Sequence, residues 1–231
     1  TETCGRVDAK SDEKEKFNFW NSYTFNYQLG TQTMHTFFVE AYKAGKLRYD
    51  STISFLESTW YNEAIVRSYH GQQKEVKPID TIKPGLKRIF QELDSYTGND
   101  KYQIDLVTII DSLTLKVEGL LRYFCEKIGI ATFKTRKNGS DKLVMEKLID
   151  DLLADIAHRP LIKPDQETNF DEEDRIYIKY VMSEKAGLNL RNLVAHSLMD
   201  IHEYSFEHIV VLFCIIMKLS KYKFIENKSK E

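Results

Sequence analysis

The chain has 231 residues, 42% of them hydrophobic, which is enough to bury a real core and excludes a disordered polymer. Ten glycines and four prolines are few for this length, so turn-rich sheet folds are disfavoured and long helices are expected. The formal net charge is −2, so no global field draws in polyanions and any nucleic-acid site must be local. Cys4, Cys125 and Cys214 are far apart and fit no metal spacing, which reads as reduced thiols in a cytoplasmic protein. The most apolar run, residues 209–217, is half the length needed to cross a bilayer, so no membrane segment is expected. The chain begins at Thr1 without Met, as a processed protein or a piece of a longer one would.

Residues 1–14 are polar and expected to fray. From 15 to 44 the sequence is aromatic, and Trp20, Tyr23 and Tyr27 recur at helical spacing, which predicts helix throughout, with Gly30 the one candidate break and Gly45 the stop. These aromatics suit a core or interdomain face better than a base-stacking platform. Asp50 or Ser51 can cap a helix carrying Ile53, Leu56, Trp60, Ala64 and Ile65. Residues 70–84 read as a connector, and 85–96 as a short helix ended by the break at 97–100. The strongest pattern follows: Leu106, Ile110, Leu113, Val117, Leu120, Phe124 and Ile128 alternate steps of four and three, predicting a helix over 102–128 that ends at Gly129. Residues 133–141 form a basic loop in which Asn138-Gly139 suits a small hairpin. Helices are predicted over 142–156, 171–183, 188–198 and from a Ser205 cap to about 222, with Pro160 and Pro164 in a loop. The fold class is therefore all-α, with a C-terminal helical domain over 101–231 and an N-terminal helical segment over 1–100.

Candidate chemistry concentrates in residues 188–196. His196 can take a proton from a ribose 2′-OH or give one to a leaving oxygen near neutral pH. Arg191 can hold the charge that builds on phosphorus oxygens, and Asn192 can orient the phosphate. The spacing also arises by chance in a chain with this many arginines and histidines. It then marks a helix start with Arg191 salt-bridged and His196 hydrogen-bonded in the core. Glu118 and Arg122 lie i, i+4 on the long helix, with Asp111 on the same face. They are either a structural ion pair or, with Glu118 across from Arg191, the group that orients its guanidinium, Gly119 allowing close helix approach. Lys134, Arg136 and Lys137 are solvated charges or an RNA-backbone contact. His202, Glu203, Glu207 and His208 lack a zincin spacing, and neither metal nor other cofactor is expected.

Residues 187–196, Gly-Leu-Asn-Leu-Arg-Asn-Leu-Val-Ala-His, resemble the R-N-x-x-x-H signature of the HEPN superfamily. The resemblance is closest to the group called domain of unknown function 4209, whose preceding long helix is similar to residues 113–122. It spans roughly residues 101–222, and one departure is Ser197, where glycine is expected. The resemblance implies a four- or five-helix bundle that dimerises and brings two Arg/His motifs into one cleft. It also implies metal-independent endoribonuclease activity that leaves a cyclic phosphate, in defence or stress response, with Arg191, Asn192 and His196 in the motif roles. Many members are silent binding or assembly modules, which is the alternative reading.

Overall fold

The computed structural model describes the backbone of residues 2–69, 71–99, 101–138, 141–157, 160–163 and 166–224. Side chains are described for these except at 2–12, 68, 69, 137, 138, 141, 142, 160–163 and 166–169. The protein is mostly helical. Helix α1, Glu2–Lys43, runs unbroken through Gly30, because Trp20, Phe38 and Tyr42 on one face are buried and outweigh the ~1 kcal/mol that glycine costs in a helix. Its first turns are helical as well, where fraying was expected.

Helix α2, Tyr49–Glu57, begins just before the expected caps. Arg48 is the N-cap, and its amide donates to Ser51 Oγ at 3.1 Å. Trp60 does not continue this helix. Thr59 caps a separate 3-10 turn, Trp60–Asn62, whose two aromatics are tied to the last helix: Trp60 Nε1 donates to the Leu219 carbonyl at 2.8 Å and Tyr61 Oη to the Ile216 carbonyl at 2.7 Å. Ile65 then opens strand β1, Ile65–Tyr69, antiparallel to β2, Gln72–Val76. Half of the expected connector is thus a hairpin. The other half is helix α3, Pro78–Gly98, with Pro78 in its first turn and Pro84 inside it. Proline is tolerated at the start of a helix, where the missing N–H has no partner to lose.

Helix α4, Leu106–Lys127, is capped by Asp105, whose side chain accepts from the Thr108 amide at 3.1 Å. The predicted stripe faces the core: Ile110, Leu113, Val117, Leu120 and Phe124 are fully buried. Strands β3, Phe133–Asn138, and β4, Asp141–Glu146, pair in the expected hairpin. The helix expected over 142–156 is corrected accordingly, since its first turns are β4 and helix α5 covers only Ile149–Ala157. The expected proline loop is also a hairpin, β5, Pro160–Lys163, with β6, Gln166–Asn169. Helix α6, Glu172–Met182, follows its Asp171 cap. The short α7, Leu190–Ala195, is narrower than predicted, and α8, Phe206–Ser220, ends before 222.

One buried cluster runs from Trp20 of α1 through α3, α4, α5 and α6 to α8. Helix α1 packs on α6 through Trp20, Tyr23 and Tyr27 against Tyr177 and Tyr180, and on α8 through Phe38 against Phe213. Asp174 anchors α6 to the end of α8. It is buried and accepts from Tyr222 Oη at 2.7 Å, with Lys218 and Lys221 beside it. No helix among the described residues is long and apolar enough to cross a membrane.

Candidate functional site

Helix α7 is placed by its approach to α6. A Cβ at Gly187 would sit 2.2 Å from the Tyr180 carbonyl oxygen, so only glycine lets the chain pass there. The Leu188 amide then donates to that same carbonyl at 3.0 Å. Asn189 takes a left-handed conformation, φ 50°, which asparagine adopts more readily than most residues, and turns the chain into α7. The buried Leu190 fixes the rotation of the helix, and Arg191 faces α4.

Glu118 is the centre of the site. Its Oε2 accepts from Arg191 Nε at 2.9 Å, and its Oε1 from a terminal nitrogen of Arg122 at 2.8 Å. The side chains are 11% exposed for Glu118, 16% for Arg122 and 21% for Arg191, so solvent screens these pairs only partly. Burial pushes the Glu118 carboxyl up, but hydrogen bonds and charge from Arg191 and Arg122 outweigh it and hold the group below its ordinary value. Both readings of Glu118 find their contact: the ion pair with Arg122 along α4 and the contact with Arg191 across the bundle. Gly119 has no neighbouring atom within 4 Å of where a Cβ would stand, so the close helix approach expected there does not occur.

Arg122 serves the framework. It also donates to the Lys147 carbonyl at 2.8 Å and lies 3.2 Å from Glu146, tying α4 to the base of the β3–β4 hairpin. Arg191 is less committed. Beyond Glu118 it donates from one terminal nitrogen to Asn192 Oδ1 at 3.3 Å, while Asn192 Nδ2 donates to Asn189 Oδ1 at 2.6 Å. Arg191 and Asn192 line a cavity of about 60 Å³ together with Leu148, Ile149, Asp150 and Ser183. Ser183 Oγ donates to Asp150 Oδ1 at 2.7 Å at its edge.

His196 does not line that cavity. It is the C-cap of α7, exposed to solvent, so the core-histidine reading of this residue does not hold. The chain turns sharply after it in a Schellman arrangement: the Ser197 amide donates to the Val194 carbonyl at 3.1 Å and the Leu198 amide to the Leu193 carbonyl at 2.8 Å. Ser197 has φ 52°, the left-handed position that glycine fills at most such ends, which is the physical content of the glycine expected there. Leu198 and Ile201, just beyond, are 65% and 63% exposed.

The basic cluster divides. Lys134 is ion-paired with Asp151 of α5 at 2.5 Å, Arg136 is exposed, and the Lys137 side chain lies outside the described residues. Asp111 accepts from Tyr204 Oη at 2.9 Å and takes no part in the Glu118 network. The His202–His208 stretch is local capping: Glu203 accepts from the Asp200 amide, and the His208 ring faces Ser205. Burial lowers the His208 pKa. No group of three or more metal-ligating side chains occurs among the described residues. Burial pushes the Cys125 thiol up to about 12 and Cys214 up to about 11, so neither is a thiolate nucleophile near neutral pH. Sequence reasoning missed Glu146, which meets Arg122 of α4, and Asp150 and Ser183, which meet α7 at the cavity; no spacing reveals these adjacencies.

Comparison of the chain with protein-family models, with curated proteins and with solved structures finds no match in any of the three.

Proposed function

We propose that this is a HEPN-like, metal-independent endoribonuclease of the cytoplasm, with a site completed by two copies of the chain. The observation that carries the reading is the division of labour around Glu118. One carboxylate fixes Arg191 by its Nε and leaves the terminal nitrogens at the cavity edge beside Asn192, while His196 stands in solvent, free to reach RNA. A guanidinium held by its back edge is positioned for phosphate oxygens at a reduced ordering cost. In the reaction the ribose 2′-oxygen attacks phosphorus as a histidine accepts its proton. The bond to the 5′-oxygen breaks as a second histidine donates one, leaving a 2′,3′-cyclic phosphate. One chain offers a single histidine at α7, so the second comes from His196 of another copy. The exposed Leu198 and Ile201 beside it give that copy apolar surface to cover.

The second reading, a silent binding or assembly module, is favoured by the location of His196 outside the cavity that Arg191 lines. Cleavage of an end-labelled single-stranded RNA separates the two. In the enzyme, His196→Ala lowers the rate by about 10²–10⁴ while the thermal midpoint stays put, since the ring is exposed. Arg191→Lys, which loses the planar fork, also fails, and chelator has no effect. Wild-type protein that cleaves no single-stranded RNA leaves the module.

A further inference from the structure

Helix α1 has an inner and an outer face, and the proposed RNA chemistry uses neither. Residues 17–39 contain no Asp, Glu, Lys or Arg, a stretch of about 35 Å of helix. The inner face buries Trp20, Thr31 and Phe38. The outer face leaves Phe19 47%, Phe25 64%, Leu29 52% and Phe37 71% exposed. Four large apolar groups on one uncharged helix face are a patch, and a patch of this kind marks an interface. The polar groups between them are prepared for burial: the Thr33 and Thr36 hydroxyls donate to the Leu29 and Gln32 carbonyls at 3.1 and 3.0 Å.

We infer that this face pairs with the same face of a second copy, the two α1 helices lying antiparallel about a two-fold axis near Gln28. Three arguments select that occupant. A charge-free surface gives nothing to a charged partner such as a nucleic acid, whereas it meets its own copy without repulsion. Antiparallel alignment about Gln28 sets Phe19 across from Phe37 and Lys16 across from Glu40, whereas parallel alignment sets Glu40 against Glu40. The four apolar side chains offer roughly 400–500 Å² per copy, and the uncharged Asn18, Ser22 and Asn26 among them bring the face toward the ~800 Å² per partner of a stable interface. This pairing does not depend on the α7 site. If both two-folds form with their axes meeting at right angles, the assembly is a closed tetramer.

The test is the mass of the full chain in solution by light scattering, at about 100 µM, above the micromolar limit expected for interfaces of this size. Leu29→Glu and Phe25→Glu each place charges at the axis and are expected to halve the assembly mass, with the helical circular dichroism unchanged because both residues are exposed. Failure of the α7 reading leaves this halving intact, from dimer to monomer instead of tetramer to dimer. In a Cys4→Ser background, Leu29→Cys should form a disulfide-linked dimer on oxidation and Glu40→Cys should not. An unchanged mass for both charge variants overturns the inference, as does crosslinking through Glu40→Cys instead of Leu29→Cys. A chain that is monomeric at this concentration also overturns it, and binding of that monomer to phosphatidylglycerol vesicles would assign the face to lipid.

Discussion

Replacing Glu118 with glutamine removes one charge and strands two. The carboxylate accepts from Arg191 Nε at 2.9 Å and from Arg122 at 2.8 Å, one oxygen for each. Glutamine keeps a single carbonyl oxygen and turns an NH₂ toward the other guanidinium. Breaking a buried ion pair by removing one partner costs about 3–5 kcal/mol. Arg122 keeps the Lys147 carbonyl and Glu146, and Arg191 is 21% exposed, so part of that loss is recovered. The expected cost is about 2–3 kcal/mol, which for a chain of this size lowers the thermal midpoint by roughly 4–12 °C. The effect has a pH signature. The folded Glu118 carboxyl lies below its ordinary value of 4.5, so its stabilisation is complete above that pH and is lost as pH falls through the lower, folded value. Calorimetry of wild type and Glu118→Gln should therefore show a gap that is constant near neutrality and closes in acid. A double-mutant cycle with Arg191→Met should give a coupling above about 1 kcal/mol. A midpoint change under about 1 °C, or a gap that persists at acid pH, would refute the reasoning and make the network a solvated one.

Gly187→Ala forces a methyl group to within 2.2 Å of a backbone carbonyl that cannot swing away, and should cost about 3 kcal/mol or more and displace α7, read as a lower unfolding midpoint in urea. Ser197→Gly relieves a left-handed residue, φ 52°, and should stabilise by up to ~1 kcal/mol after the entropy of the added glycine is counted, whereas Ser197→Val should destabilise. Tyr61→Phe removes a fully buried hydroxyl that donates to the Ile216 carbonyl at 2.7 Å, and should lower stability by about 1–2 kcal/mol in the same urea titration.

The elements legible in the sequence were those with one buried face. Helix α4 shows its stripe because Ile110, Leu113, Val117, Leu120 and Phe124 all meet the core, and α1 shows Trp20, Tyr23 and Tyr27 for the same reason. Hairpins β1–β2 and β3–β4 were harder to read because none of their described side chains is buried, so nothing imposes a period of two. In β2, residues 72–75 are all exposed, and in β4 Leu143, Val144 and Met145 are consecutive apolar residues that remain 48%, 68% and 42% exposed. An apolar triplet running into the helical pattern of 149–157 imitates a longer helix. Trp60 fell on the period of α2 but belongs to the next turn, because its indole is spent on the Leu219 carbonyl, 159 residues away. No local pattern encodes a contact at that separation.

The site divides along the same line. Arg191, Asn192 and His196 are legible as residue types, and Glu118 as the carboxylate able to meet Arg191, since each is named by local chemistry. What the spacing could not settle was direction. Arg191 and His196 are five residues apart on a helix of only six, so their relation depends on where that helix ends. It ends at His196, and Ser197 in the left-handed region sends the chain away, leaving Arg191 and Asn192 at the cavity and His196 outside it in solvent. If a second copy supplies the other half of the site, that divergence is an advantage: a histidine folded back onto its own Arg191 would have no reach toward another chain. Measuring cleavage in mixtures of Arg191→Met and His196→Ala chains tests this directly. Neither variant alone should cut RNA. If a productive site takes Arg191 from one copy and both histidines are needed, the mixture stays inactive. If a site uses Arg191 of one copy with His196 of the other alone, mixing restores about a quarter to a half of the activity, as statistical exchange of subunits allows. Activity retained by pure His196→Ala would sink both schemes.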